Sequence, residues 1–309
     1  RRSLFAQSAK AQKKGLLMHD DALSSLPWHL DSYLLLDGVS VEALPRKIYE
    51  WSDSPDCEVL YLETPWAELS DVSPHLVKLE NENDPVLAAF ISNLSDEWGY
   101  LLFSSAPRAS VLKHLRWLTC VQPQHGAPVL LRLADPAVMH ALLALEKHSD
   151  TTKLYGPIEY IYTPDAMTEG GHQHQRFGSH AALDYSKPYA LDEAEHETLG
   201  AVSFRQGVLA LSKHMQRYFP NYGAEVPSHE RLGRLQNLAS DAYEKGFCSS
   251  RELTLFANII GYLGENFLDE HEDLARLLNE ATEQTPIQRL ESVAQVAQQR
   301  VALRLRRTI

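Results

Sequence analysis

Between Pro128 and Leu143 the chain reads PVLLRLADPAVMHALL, and this stretch restricts the possible folds more than any other. Pro128 to Leu133 is an apolar, strand-like run closed by Ala134, and Asp135-Pro136 then opens a helix carrying Val138, Met139, Leu142 and Leu143. Asp135 fits the cap position, where its carboxylate accepts a free backbone N–H. Pro136 fits the first helical position, where a missing N–H costs nothing. A strand that hands over to a capped helix is the building unit of an α/β layer.

The same handover recurs upstream. Tyr33 to Leu36 reads as a buried strand stopped by Asp37-Gly38, with Ser40 placed to cap a helix through Leu44, Ile48 and Trp51. Cys57 to Leu62 and His75 to Leu79 read as two further strands. Asp84-Pro85 then repeats the cap-and-proline start ahead of Leu87, Phe90, Ile91 and Leu94 at helical spacing. Tyr100 to Phe103 is a fourth strand, and Val111, Leu112, Leu115 and Leu118 line the helix after it. Ile158 to Tyr162 looks like the strand that closes the lobe. Strands alternating with helices predict a layered sheet with some parallel pairing.

Gly170 to Pro188, with its GG, HQH, GSH and SKP, breaks the pattern, and from Leu191 the period is helical throughout. Ser249 with Glu252, and Thr285 with Gln288, match the reciprocal capping pattern. The predicted fold class is an α/β N-terminal lobe, a mixed sheet flanked by helices, followed by an all-α helical C-terminal lobe. Its divisions are an arm at 1–30, an α/β domain at 31–169, a linker at 170–190 and a helical lobe at 191–309.

A chain of 309 residues has room for two cores, and 44% apolar with 23% charged residues is ordinary for a globular protein. A formal charge of -12 repels phosphate backbones and anionic lipid, so neither nucleic acid nor membrane is an expected partner. Cys57, Cys120 and Cys248 are odd in number and far apart, which argues against a disulfide framework or zinc ribbon and fits a reducing cytosol. Arg1-Arg2 is not followed by the apolar core of an export signal, and a first residue other than Met reads as a trimmed or partial start.

The search for chemistry weighs each candidate against a plainer use. His172 and His174, with His180, could ligate a divalent metal, or they could belong to a solvated loop. Asp37 and Asp135 both follow strands and could hold Mg²⁺, although turn and cap roles explain each more simply. Cys57 opens an apolar strand with no nearby His, and Cys248 follows Gly246-Phe247; both read as inert packing residues. Arg132, a charge in an apolar run, reads as an ion-pair partner. Trp28, Trp51, Trp66 and Trp98 are anchors for a partner if exposed and core residues if not. No glycine-rich phosphate loop, nucleophile elbow or HExxH occurs. No catalytic, cofactor-binding or metal residue is assigned, and no cofactor is expected.

Taken in order, SYLLLDGV (Ser32 to Val39), EVLYLETPWAEL (Glu58 to Leu69), PHLVKLE (Pro74 to Glu80) and VLLRLADPAVMHALL (Val129 to Leu143) resemble the effector adaptor and chaperone family of bacterial type VI secretion. That family's N-terminal domain was long catalogued as of unknown function. AYEKGFCSSRELTLFANIIGYLGENF (Ala242 to Phe267) resembles the family's C-terminal lobe. Where the family usually has an aromatic before Asp-Pro, this chain has Leu133-Ala134. The resemblance implies a cytoplasmic, non-enzymatic protein that holds a cognate effector and helps mount it on the VgrG spike. It carries over no catalytic residues, and the partner-binding residues are unknown. The alternative, from the residues alone, is a cytosolic metal-dependent hydrolase using Asp37, Asp135 or the histidine pair.

Overall fold

The computed structural model describes residues 23–145, 151–168, 170–178, 183–279 and 284–307. The basic arm before Ala22 and His180 lie outside them. The chain divides into two compact units, Arg1–Val202 and Ser203–Ile309.

The first unit is built on a six-stranded sheet with strand order β2-β3-β1-β4-β7-β8. Its strands are β1 (Asp31–Leu36), β2 (Cys57–Val59), β3 (His75–Leu79), β4 (Gly99–Ser104), β7 (Tyr160–Asp165) and β8 (Gly170–Gln175). Every neighbouring pair in it is antiparallel. The parallel pairing expected from strand and helix alternation occurs elsewhere, between β5 (Cys120–Gln122) and β9 (Tyr189–Ala190), in a small sheet that also holds β6 (Val129–Leu130). The reason is topological. The helix α2 (Pro85–Ile91) does carry the chain between two strands of like direction, β3 and β4, but β1 lies between them and pairs antiparallel with both.

Helices cover both faces of the large sheet. Leu34 and Leu36 of β1, with Leu101 and Phe103 of β4, pack with Leu44 and Ile48 of α1 (Leu44–Trp51) and Val86, Leu87 and Phe90 of α2. The alternate residues Tyr33, Leu35, Tyr100 and Leu102 pack with α3 (Arg108–Leu118) and α4 (Pro136–Ala144). Because successive strand side chains point to opposite faces, β1 reads as an unbroken apolar run, buried on both sides. Leu23 and Leu26 join the same core as α1 and α2.

Both Asp-Pro cap expectations are met. Asp84 and Asp135 accept the Val86 and Ala137 N–H groups at 2.8 and 2.9 Å, and each is followed by proline. Ser40 does not cap α1; its hydroxyl turns back to Asp37, and Ala43 starts the helix with a positive φ. The strand expected over Pro128 to Leu133 shrinks to the two residues of β6. That over Cys57 to Leu62 ends at Val59, where the chain leaves the edge of the sheet.

The stretch 170–190, read from its composition as a linker, carries β8 and β9. In β8 the inward positions are Gly170, His172 and His174, so the strand alternates in burial without alternating in hydrophobicity, and the usual signal is missing. A short α5 (Thr151–Tyr155) precedes β7.

The helix α6 (Glu193–Tyr218) begins in the first unit and ends in the second. The second unit adds α7 (Ser228–Glu244), α8 (Ser250–Leu263), α9 (Phe267–Glu270), α10 (Glu272–Asn279) and α11 (Pro286–Arg307). Leu235, Ala239, Phe256, Ile259, Leu274, Leu290 and Val293 form its core, with α8 packed along α11. Ser249 and Glu252 cap α8 reciprocally, and Thr285 and Gln288 cap α11 in the same way. The architecture is the predicted one, an α/β unit followed by a helical unit.

Candidate functional site

Asp37 and Asp135, far apart in sequence, do come together. Asp37 directly follows β1 and is only 2% exposed. Its carboxylate accepts the Val39 N–H at 3.1 Å and the Ser40 hydroxyl at 2.7 Å, which folds the chain into a turn. Gly38 is required in that turn, since a Cβ there would lie 2.4 Å from the Ser73 carbonyl oxygen. What joins the two carboxylates is Arg132, whose guanidinium lies 2.5 Å from Asp37 and 3.7 Å from Asp135 and also donates to Ser40 at 3.3 Å. The position between the two carboxylates is thus held by a side-chain cation.

Burial pushes the Asp135 carboxyl above its usual range; Arg132 and the Ala137 N–H pull it back, while Glu97 and Asp37 add to the rise. The arrangement ties the end of β1 to the start of α4. Arg132, read from the sequence as an ion-pair partner, is one.

His172 and His174 also meet a partner the sequence did not suggest. Both face inward from β8, opposite Thr163 and Ile161 of β7, and His140 of α4 reaches them from above that face. The His140 ring stacks on His172 with centroids 3.6 Å apart, and its Nδ1 lies 3.1 Å from Nε2 of His174. His172 Nε2 lies 3.0 Å from an Asp165 carboxylate oxygen. Burial, with the two neighbouring imidazoles, lowers the pKa of His174 to about 4. Among the described residues no group of three or more His, Cys, Asp or Glu is placed to hold a metal ion. The cluster instead pins the edge strand β8 to α4.

The cysteines are all free; Cys57 and Cys120 are half-buried, and burial raises both thiols above their ordinary range, which is the environment of an unreactive residue. Of the tryptophans, Trp28, Trp51 and Trp98 pack against the β1 core, and Trp66 packs on the opposite face. Trp51 stacks on Trp98 at 5.6 Å, and Trp28 meets Phe103 edge-on at 5.2 Å. Trp117 of α3, unnamed above, packs on the same core as Trp66 and lines an open groove. It sits in a groove with Lys113, Arg116, Tyr185 and Lys187. In the sequence it is one more apolar residue beside Leu115 and Leu118 on a helix, and no local signal separates it from the core.

Among the described residues no helix is long and apolar enough to cross a membrane. Residues 32–151 match the protein family described as a domain of unknown function, DUF4123. The chain is also similar to the accessory protein VasW of Vibrio cholerae serotype O1 (strain ATCC 39315 / El Tor Inaba N16961). The two are 29% identical over 270 residues, 86% of this chain and 88% of that relative. No solved structure matches it. A match of that length takes in part of the helical unit as well as the sheet, whereas the family match lies within the first unit; together they support the resemblance to the type VI secretion adaptors.

Proposed function

From a chain that resembles the type VI secretion adaptors in both units, we propose an adaptor that binds one cognate effector in the cytoplasm and promotes its loading onto the VgrG spike, without catalysis. The observation that carries this reading is the length of the match to VasW, a protein named as an accessory protein, since it spans both units. The side chains that could have served a hydrolase support it too. Asp37 and Asp135 are engaged by Arg132 and by backbone N–H groups, and His172 by Asp165.

The test is co-expression with the effector and the VgrG protein encoded beside this chain, followed by size exclusion. A stoichiometric complex with the effector is the expected result. A chain that elutes alone from every such mixture overturns the reading.

A further inference from the structure

An open groove of about 680 Å³ runs along α3 in the first unit, between that helix and the segment around 185–188. Its charged lining consists of Lys113, Arg116 and Lys187 against Glu63, a local excess of cations on a chain whose formal charge is -12. The three cations are not equivalent. Arg116 is spent on an ion pair with Glu63 and on the Leu60 carbonyl at 3.2 Å. Lys187 is 3.9 Å from Asp184, both of them well exposed, a pairing that contributes little in water. The Lys113 ammonium stands 4.8 Å over the Tyr185 ring and has no carboxylate partner among the described residues. Two ammonium groups therefore border the groove with donors to spare.

The aromatic floor is fixed in advance. Trp117 meets Tyr185 edge-on at 5.3 Å and Tyr189 at 5.7 Å, and its indole N–H donates to the Lys187 carbonyl at 2.6 Å. Behind Tyr185 is His114, fully buried, whose Nε2 lies 2.9 Å from the Leu154 carbonyl. A carbonyl can only accept, so Nε2 carries a proton, and the Tyr185 hydroxyl lies 3.5 Å from Nδ1. A floor ordered in this way loses little freedom when it is covered. Pro65, Pro128 and Pro188 also line the groove. Aromatic rings and prolines together make the kind of surface that takes an extended, proline-rich chain, whose backbone needs no hydrogen bonds from its own segment.

We propose that this groove docks an extended acidic segment of a protein partner, its carboxylates meeting Lys113 and Lys187 and its apolar or proline residues lying on Trp117 and Tyr185. The inference rests on the adaptor reading and says which chemistry in the partner is recognised. A nucleic acid presents the same sign of charge at far higher density, and the chain's own negative charge opposes it.

The probe is a fluorescein-labelled peptide of alternating Glu-Pro and Asp-Phe pairs, with a counterpart carrying Lys in place of each acid, titrated with the full chain by anisotropy. The acidic peptide is expected to bind at least about ten-fold more tightly than its counterpart, and the exposed double variant K113E/K187E to weaken it by about ten-fold or more. Equal binding of the two peptides, no binding of either, or an unchanged affinity in the double variant overturns the proposal. Co-expression with the neighbouring effector separates the two levels. If K113E/K187E still holds the effector while the peptides fail, the groove is wrong and the adaptor reading stands. If the unmodified chain holds no effector and no VgrG, the adaptor reading fails and this inference with it.

Discussion

Arg132 is the side chain with most depending on it. Replacing it by Met leaves Asp37, which is 2% exposed, and the capping Asp135 facing each other without the guanidinium that lies between them. Losing one partner of a fully buried pair costs about 3 to 5 kcal/mol. The Arg132 side chain is 38% exposed, so water recovers part of that, and a loss of about 2 kcal/mol in urea denaturation is expected. The double variant D37N/R132M returns the site to its original net charge and should recover some of it, because only one of the two facing carboxylates then remains.

His174 gives the fold a dependence on pH with a definite sign. Its imidazole is held neutral, with a pKa lowered from 6.5 to about 4, so in that interval the unfolded chain binds a proton at this position and the folded chain does not. Stability falls as pH drops from 6.5 toward 4 and levels off below. Thermal melts across that window should show the decline, and H174Q should flatten it; an equal slope in the variant contradicts the assignment. Both aspartates and both histidines were visible in the sequence as residues of interest. What was not visible was their company, because Arg132 and His140 reach them only after α4 has packed on the sheet.

Individual elements were legible in proportion to how far local chemistry specifies them. Asp84-Pro85, Asp135-Pro136 and Ser249 with Glu252 mark helix starts because a cap is satisfied within three residues. S249A should cost about 1 kcal/mol, read as a lower midpoint for the second unit's unfolding transition. β8 was illegible for the opposite reason. Its place depends on pairing with β7 and on a half-buried histidine face, and neither appears as a hydrophobic alternation. Gly99 shows how closely the central strands approach: a Cβ there would lie 1.9 Å from the Leu35 carbonyl oxygen, and its φ of 157° is already in the region that favours glycine. G99A is expected to abolish soluble expression of the first unit, or to leave it without its near-ultraviolet dichroism.

At the scale of the molecule, each unit has its own core, one about the sheet and one among the helices. F256A removes a ring that is 3% exposed in the helical core, a truncation that costs about 3 to 5 kcal/mol where it occurs. Native-state hydrogen exchange should then show faster opening in α8 and α11 with β1 and β4 unchanged. Acceleration of the β1 amides by the same amount contradicts separate cores. The two-unit plan was readable from the change of period near residue 190. The position of the division inside α6 was not, because nothing in one continuous helical pattern marks where its neighbours change.

The place of β1 in the middle of the sheet has a consequence for synthesis. Leu34 lies opposite Val77 on one side and Leu101 on the other, and both are translated well after it. A ribosome therefore releases a sticky segment, Tyr33 to Leu36, long before either flank exists to shield it, and distant closures of this kind slow folding. A nascent chain of this design has an early need for a holdase.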